Sequence, residues 1–459
     1  MSGMNRRDFI KTAGAAAAAL ALPAELSARV RDRPNIVFIL ADDLGWADLG
    51  CYGHRFHETP NIDRLAAEGV RFTNAYAACP VCSPTRASIM TGKYPARLGL
   101  TDWIPGHRIP NTKLRRPEFL QYLPNEEVTI AEALKAAGYA TASVGKWHLG
   151  GEGHLPQDQG FDLNVGGSNA GGPAGGYHLP NKMNLKNMRR GEYLTDRLTS
   201  EGIKFIEANK EGPFFLYQAY HSVHIPIQPK KRYLEKYRAK LAPGETYNPA
   251  YAAMVQSLDE GVGRILQALK DLRLTERTVV FFMSDNGGFE AVTSNAPLRK
   301  AKGYLYEGGI RDPLIVRYPP LVKAGAFCKT PVSSVDFFPT ILDLAGVKNR
   351  AREIDGVSLM PLLRGKRSLG RKAIYWHYPH YNSQGGTPAS AVRRGDYKLL
   401  YFYEDGRVEL YNLKEDIGEK TDLSAKMPEK TAELRGLLET WLKQVGAQKP
   451  TANPDYHET

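Results

Sequence analysis

The chain has 459 residues, enough for two or three domains and for a large buried core. Hydrophobic residues make up 42% and charged residues 24%, which excludes a disordered, collagen-like or coiled-coil chain and indicates a folded, water-soluble protein. The formal charge is +12, yet 61 basic and 49 acidic residues are interspersed without a long Lys/Arg run, so the excess favours anionic substrates and no nucleic-acid partner is expected. Four cysteines, Cys51, Cys79, Cys82 and Cys328, are too few for a disulfide scaffold. Cys79-Pro80-Val81-Cys82 has no second pair at zinc-site spacing and no thioredoxin-like surroundings, which argues against a zinc or redox role.

At the start, Arg6-Arg7 precedes a short apolar run from Ala13 to Leu22, which ends in small-residue cleavage choices at Ala19-Leu20-Ala21 or Leu26-Ser27-Ala28. This pattern is a twin-arginine export signal over residues 1–28. The run is shorter than the roughly 20 residues that span a bilayer, so no stable membrane anchor is expected. The twin-arginine machinery would carry the chain, already folded, to the periplasm or the outside.

Pro34 to Leu40 is a continuous apolar run, as in a strand buried on both faces, and it ends in Asp42-Asp43. A helix is expected over Asn61 to Gly69, then a helix over Thr129 to Ala137 leading to a strand at Ala140 to Val144. A helix at Tyr193 to Ala208 precedes apolar Pro213 to Tyr217, and a helix at Tyr251 to Leu272 leads to Thr278 to Met283, which ends in Ser284-Asp285-Asn286. Alternating helices and strands predict an α/β fold: a large, mostly parallel sheet sandwiched by helices, with its site at the carboxyl ends of the strands. The glycine-rich stretch 166–176 lacks the Gly-Lys-Ser/Thr of a phosphate loop and reads as a mobile rim loop. After a charged connection near Gly346 to Gly370, short aromatic strands at Ala373 to Tyr378, Ala389 to Arg393, Tyr397 to Tyr403 and Val408 to Asn412 predict a smaller antiparallel sheet, followed by a helix at Pro428 to Val445. The expected division is a catalytic domain at 32–345 and a C-terminal α+β subdomain at 346–459.

Asp42, Asp43, Asp285 and Asn286 are four hard oxygen donors at strand ends, a set that suits Ca²⁺ or Mg²⁺. The most specific segment is Cys82-Ser83-Pro84-Thr85-Arg86, followed by small residues and Thr91-Gly92. It resembles the C-x-P-x-R signature of the type I sulfatases, in the alkaline-phosphatase-like superfamily, whose cysteine is oxidised to formylglycine. Gly145-Lys146-Trp147-His148-Leu149-Gly150 resembles the family's G-K-W-H-L-G segment. His224-Ile225-Pro226 resembles its P-H-x-P segment with Val223 in place of the proline, and the spacing favours His224 over His221. Lys302-Gly303 through Glu307-Gly308-Gly309-Ile310-Arg311 resembles K-G-x-x-x-E-G-G-x-R and points to Lys302 rather than Lys300.

The resemblance implies one divalent cation, held by Asp42, Asp43, Asp285, Asn286 and the formylglycine made from Cys82 by a maturase. It implies that Arg86, Lys146 and Lys302 neutralise a sulfate monoester, attacked by the hydrated aldehyde to give a covalent sulfo-enzyme. His224 and Lys302 would serve the departing alcohol, and His148 would take the proton that releases sulfate. Two alternatives stand beside this reading: a phosphonate monoester or phosphodiester hydrolase of the same superfamily, and a non-catalytic glycan-binding protein. An exported enzyme would meet sulfated polysaccharides or oligosaccharides. Trp103, His107, Arg108, His154, His178, His377 and His380 are the expected substrate contacts, because aromatic and cationic groups together suit sugar faces and anionic substituents.

Overall fold

The computed structural model describes residues 33–458, and the export signal expected over residues 1–28 lies outside the described residues. Nine strands form the large sheet: β1 (Asn35–Ala41), β2 (Val70–Tyr76), β4 (Ala140–Gly145), β5 (Leu163–Val165), β6 (Phe214–Ala219), β7 (Thr278–Ser284), β8 (Arg311–Arg317), β9 (Ala326–Cys328) and β10 (Val332–Ser333). Their order is β10-β2-β8-β7-β1-β6-β4-β5, with β9 also pairing β2. Only β8 runs against its neighbours, β2 and β7, so the sheet is mostly parallel, as expected.

Strand β1 shows why the sheet is covered on both faces. Its side chains alternate: Ile36, Phe38 and Leu40 join one core with Phe281 and Phe337, while Val37 and Ile39 join another with Val280, Phe282 and the long Pro249–Asp271 helix. All seven residues of β1 are buried, and each large apolar side chain so placed contributes about 1.5–3 kcal/mol. Local signals set the helix starts. Thr129 caps the Ile130–Lys135 helix in a reciprocal box with Glu132, and the Asn248 side chain accepts from the N–H groups of Ala250 and Tyr251.

The expected helices and strands form within a residue or two of their predicted ends. Strands β2 and β8 carry no clear strand pattern in the sequence, since Val70–Tyr76 mixes in Arg71, Thr73 and Asn74, and Arg311–Arg317 is charged at both ends and contains Pro313. The charged Lys231–Lys240 helix is likewise an addition to the predicted elements.

The second sheet is an antiparallel meander of β11 (Ile374–Tyr378), β12 (Ala389–Arg394), β13 (Tyr397–Phe402) and β14 (Val408–Asn412). One face packs Val392, Leu399 and Leu410 on Leu434, Leu438 and Trp441 of the Pro428–Gln444 helix. The other presents Trp376, Ala391 and Leu400 to Tyr76 and Ile310 of the large sheet's surroundings. The tail then returns as β15 (Thr451–Ala452) to pair with β3 (Leu114–Arg115). No helix among the described residues is long and apolar enough to cross a membrane.

Candidate active site

Four adjacent parallel strands, in the order β7-β1-β6-β4, end at one level: Ala41 pairs with Ser284, and Gly145 with Ala219. The residues that follow therefore emerge side by side. Asp42 and Asp43 leave β1, Asp285 and Asn286 leave β7, Lys146 leaves β4, and His221 and His224 follow β6. Strand β2 runs in the same sense and delivers Cys82 at the start of the Cys82–Thr91 helix, whereas antiparallel β8 begins at this end, which brings in the preceding Lys302.

These side chains form one buried cluster. Arg86 donates to Asp285 Oδ2 from Nε (2.9 Å) and Nη2 (2.7 Å), and to the Lys146 carbonyl from Nη1 (3.0 Å). Lys146 Nζ donates to Asp42 Oδ2 at 2.8 Å, and Lys302 Nζ donates to Asp43 Oδ1 at 2.6 Å. His224 gives its Nδ1–H to the Ile225 carbonyl (2.6 Å), leaving Nε2 3.7 Å from Asp43 Oδ2. Three carboxylates thus meet three permanent cations, a near-neutral balance that offsets much of the cost of burying them. Asp42 Oδ1 and Asn286 Oδ1 nevertheless have no hydrogen-bond partner, and unpaired buried oxygens cost free energy unless a cation or water takes them. Asp42, Asp43 and His224 each offer a ligand atom within 4.8 Å of the others, and with the two oxygens that lack a hydrogen bond the carboxylate-rich cluster fits a hard divalent ion.

Electrostatics follow this packing. Burial raises Asp42 and Asp285 above the ordinary carboxylate range, although Lys146 and Arg86 oppose it. For Asp43 burial acts the same way, but the charges of Lys302 and His224 outweigh it and hold the carboxyl well below that range. Burial also raises the Cys82 thiol, against the pull of Lys146 and Lys302, so an unmodified Cys82 is a poor thiolate. His224 is pushed down to about 4 by burial despite Asp43, and His148 is lowered by burial and then by Lys146.

A cavity of about 270 Å³ opens onto the cluster, lined by Asp43, Cys82, Trp103, His107, His148 and His224 among others. His148 holds a left-handed backbone (φ 59°), and its Nε2–H donates to the Ile104 carbonyl at 2.7 Å, which leaves Nδ1 unpartnered. The glycine-rich stretch is a loop, as expected, and its composition has a steric cause. A Cβ on Gly171 would sit 2.8 Å from the His148 ring, and one on Gly172 would sit 3.4 Å from His224.

Among the expected substrate contacts, Trp103 and His107 line the cavity, and the indole N–H of Trp103 is buried without a partner. The structure does not bring the other five there. Arg108 points to solvent, and His154 stacks on Tyr122 at 3.9 Å. His178 is exposed against the edge of Tyr193. His377 is 3% exposed, with both ring nitrogens occupied by Ser390 and the Gln448 carbonyl. His380 is fully buried, bonded to Thr101 and edge-on to Phe119. These two histidines bond the C-terminal sheet to its surroundings, so their aromatic neighbours are packing partners and not a sugar platform. The C-terminal segment reaches the cavity through Gln384 instead. Gln384, Phe289 and Ile225 carry no sequence signal for this role, whereas the glycine run does mark a close approach. His221 is buried with both nitrogens unpaired, away from the cavity lining.

The sulfatase family model matches residues 34–347, a model described as the C-terminal region of N-sulphoglucosamine sulphohydrolase matches 300–448, and a twin-arginine signal model matches 3–23. The signal marks the chain for export across the membrane. A sulfatase from Formosa agariphila is 33% identical, covering 89% of each chain. The N-acetylgalactosamine-6-sulfatase of Canis lupus familiaris is 35% identical over 80% of this chain and 72% of its own. The solved structure of Ps i-CgsB with k-i-k-neocarrahexaose superposes with a TM-score of 0.76 at 31% identity, covering 93% of this chain and 95% of that one. With a family model spanning well over half its length, and relatives of this similarity aligned over most of it, the chain belongs to the sulfatase family and is a sulfuric ester hydrolase.

Proposed function

We propose that this sulfatase acts on sulfated polysaccharides or oligosaccharides, with formylglycine at position 82 and Ca²⁺ held by Asp42, Asp43, Asp285 and Asn286. The observation that carries the reading is the pair of oxygens without a hydrogen-bond partner, Asp42 Oδ1 and Asn286 Oδ1, buried behind an aromatic-flanked cavity that Asp43 and Cys82 line. The ion would add positive charge next to residue 82, and the aldehyde would supply an oxygen nucleophile that can be regenerated after sulfo transfer.

The chain's own groups do the rest. Lys302 lines the cavity and would bind the sulfate oxygens, while Arg86 and Lys146, buried behind it on Asp285 and Asp42, would help to offset their charge. Lys302 Nζ would donate its proton to the departing alcohol oxygen, while His224, neutral with its Nδ1–H on the Ile225 carbonyl, would accept a hydrogen bond at Nε2 beside it. His148, with Nε2–H committed to Ile104, holds a lone pair at Nδ1 and accepts a proton within the cavity. Trp103 and His107 offer a ring face and an indole donor to a sugar. Conversion of Cys82 requires a maturase acting on the unfolded chain, because the folded thiol is buried.

Support for a glycan substrate comes from the relative named for N-acetylgalactosamine 6-sulfate hydrolysis and from the neighbour solved with a neocarrahexaose. The test is sulfate release by mature enzyme from a panel of defined sulfated oligosaccharides, read by ion chromatography. Turnover of at least one glycan with kcat/KM above that for an aryl sulfate is expected. Turnover of aryl sulfates alone would overturn the glycan assignment.

A further inference from the structure

A second, larger depression lies far from the catalytic cluster. It is a groove of about 820 Å³ along the β9 edge of the large sheet and the start of β11, and it shares no lining residue with the catalytic cavity. Val70, at the first position of β2, borders the groove, whereas Cys82 lies beyond the last; seven residues of strand separate the two by about 20 Å. Strand β11 has the same polarity, with Ile374 at the groove and the chain after Tyr378 leading to Gln384 at the cavity.

The groove's chemistry is one-sided. Its lining contains six basic residues and no acidic one. Two of the six are committed internally: Arg371 pairs with Asp336 at 2.6 Å, and Arg393 donates to Tyr76. The other four, Lys329, Lys366, Arg367 and Lys372, are exposed, and none has an ion-pair partner among the described residues. Beside them Phe327 is 63% exposed, an unusual state for a large apolar ring, with the Arg71 guanidinium 4.5 Å from its centroid. Four unpaired cations spread along a groove suit a chain bearing repeated anions, and an exposed ring beside them suits the apolar face of a sugar.

We propose that this groove is a non-catalytic binding site for a sulfated polysaccharide chain, retaining polymeric substrate near the active site. The proposal rests on the sulfated-glycan reading above. Retention raises the local concentration of ester groups without altering chemistry, so it acts on polymers and leaves small substrates untouched.

The test uses the full mature enzyme and a variant with Lys329→Ser, Lys366→Ser, Arg367→Ser and Lys372→Ser, with Phe327→Ala as a separate second variant. Dextran sulfate is the binding probe, unsulfated dextran and duplex DNA are the controls, and an aryl sulfate reports on the active site. The fourfold variant should bind dextran sulfate at least about tenfold more weakly, with a shallower dependence of affinity on salt, while aryl sulfate turnover stays at the wild-type level. Phe327→Ala should weaken dextran sulfate and leave DNA unchanged. Unaltered dextran sulfate affinity in both variants would overturn the proposal, as would DNA binding equal to that of dextran sulfate and equally lost, which would make the groove an unselective cation surface. If wild-type enzyme released no sulfate from any glycan yet bound dextran sulfate through these residues, the substrate reading would fail and the groove would stand. Glycan turnover with no groove-dependent binding would overturn the groove and leave the substrate reading in place.

Discussion

Cys82 and Asp102 show how differently two buried residues near one cavity can matter. An unoxidised thiol at 82 is held protonated by burial, so Cys82→Ala should lower sulfate release by at least about 1,000-fold while the fold persists. Peptide mass spectrometry with aldehyde trapping should find activity proportional to the converted fraction across preparations, and full activity without any aldehyde would sink the formylglycine assignment. Asp102, fully buried, accepts from Trp103 N, His107 N and Tyr378 Oη, and so ties the two cavity-lining aromatics to the C-terminal segment. Burial raises its carboxyl to about 7 in spite of these donors. Its folded value lies above its unfolded one, so the stability it contributes is present in acid and is lost as pH rises towards 7. Melting temperature should therefore fall over that window in wild type and flatten in Asp102→Asn; identical pH profiles would contradict this. At the same scale, Trp103→Ala should reduce glycan turnover far more than aryl sulfate turnover. His377→Ala should reduce both alike, by loosening a buried contact.

Elements set the geometry that single residues exploit. Because the ends of β7, β1, β6 and β4 lie level, groups far apart in sequence arrive within hydrogen-bond reach, as Asp42 and Lys146 do. Removing the cation with a chelator should abolish turnover, and Ca²⁺ or Mg²⁺ should restore it where Zn²⁺ does not, as expected of an all-oxygen set. Full activity after exhaustive chelation would exclude the metal role. The glycine-rich loop supports the cluster from outside. Gly171→Ala forces a methyl group to 2.8 Å from the His148 ring, so a loss of about tenfold to a hundredfold in kcat with little change in melting temperature is expected. Unchanged kcat would show that the loop can yield.

Across the whole molecule, the two sheets are joined by a buried ionic network. Lys398 of β13 donates to Glu307 and Glu419 at 2.9 Å each, and Glu307 also accepts from Tyr76 and Arg311. Lys398 holds Glu307 down to about 2 against the effect of burial. Among the described residues, Lys398→Met would leave buried Glu419 without a cation and Glu307 with Arg311 alone, and should cost about 3–5 kcal/mol, read from denaturant midpoints. A loss below about 1 kcal/mol would mean that the two sheets are held by apolar packing alone.

Much of this organisation can be read along the chain, because its causes are local. Uninterrupted apolar runs mark β1 and β7, the Thr129 cap marks a helix start, and the polar tails Asp42-Asp43 and Asp285-Asn286 mark strand ends, since each depends on residues a few positions apart. Strands β2 and β8 depend instead on neighbours distant in sequence: their polar residues are tolerated because the surrounding fold supplies partners, as Thr73 O does for Arg311. The same reason divides the histidines. Residue type and aromatic company are alike for His107 and His377, but one lines the cavity while the other is sealed by Ser390 and Gln448. Gln384 and Phe289 reach the cavity only because whole elements pack to put them there. Chemical capacity is a property of the side chain and its near neighbours, and so it is legible in the sequence; exposure is a property of everything packed around that side chain, and it exists only once the chain has folded.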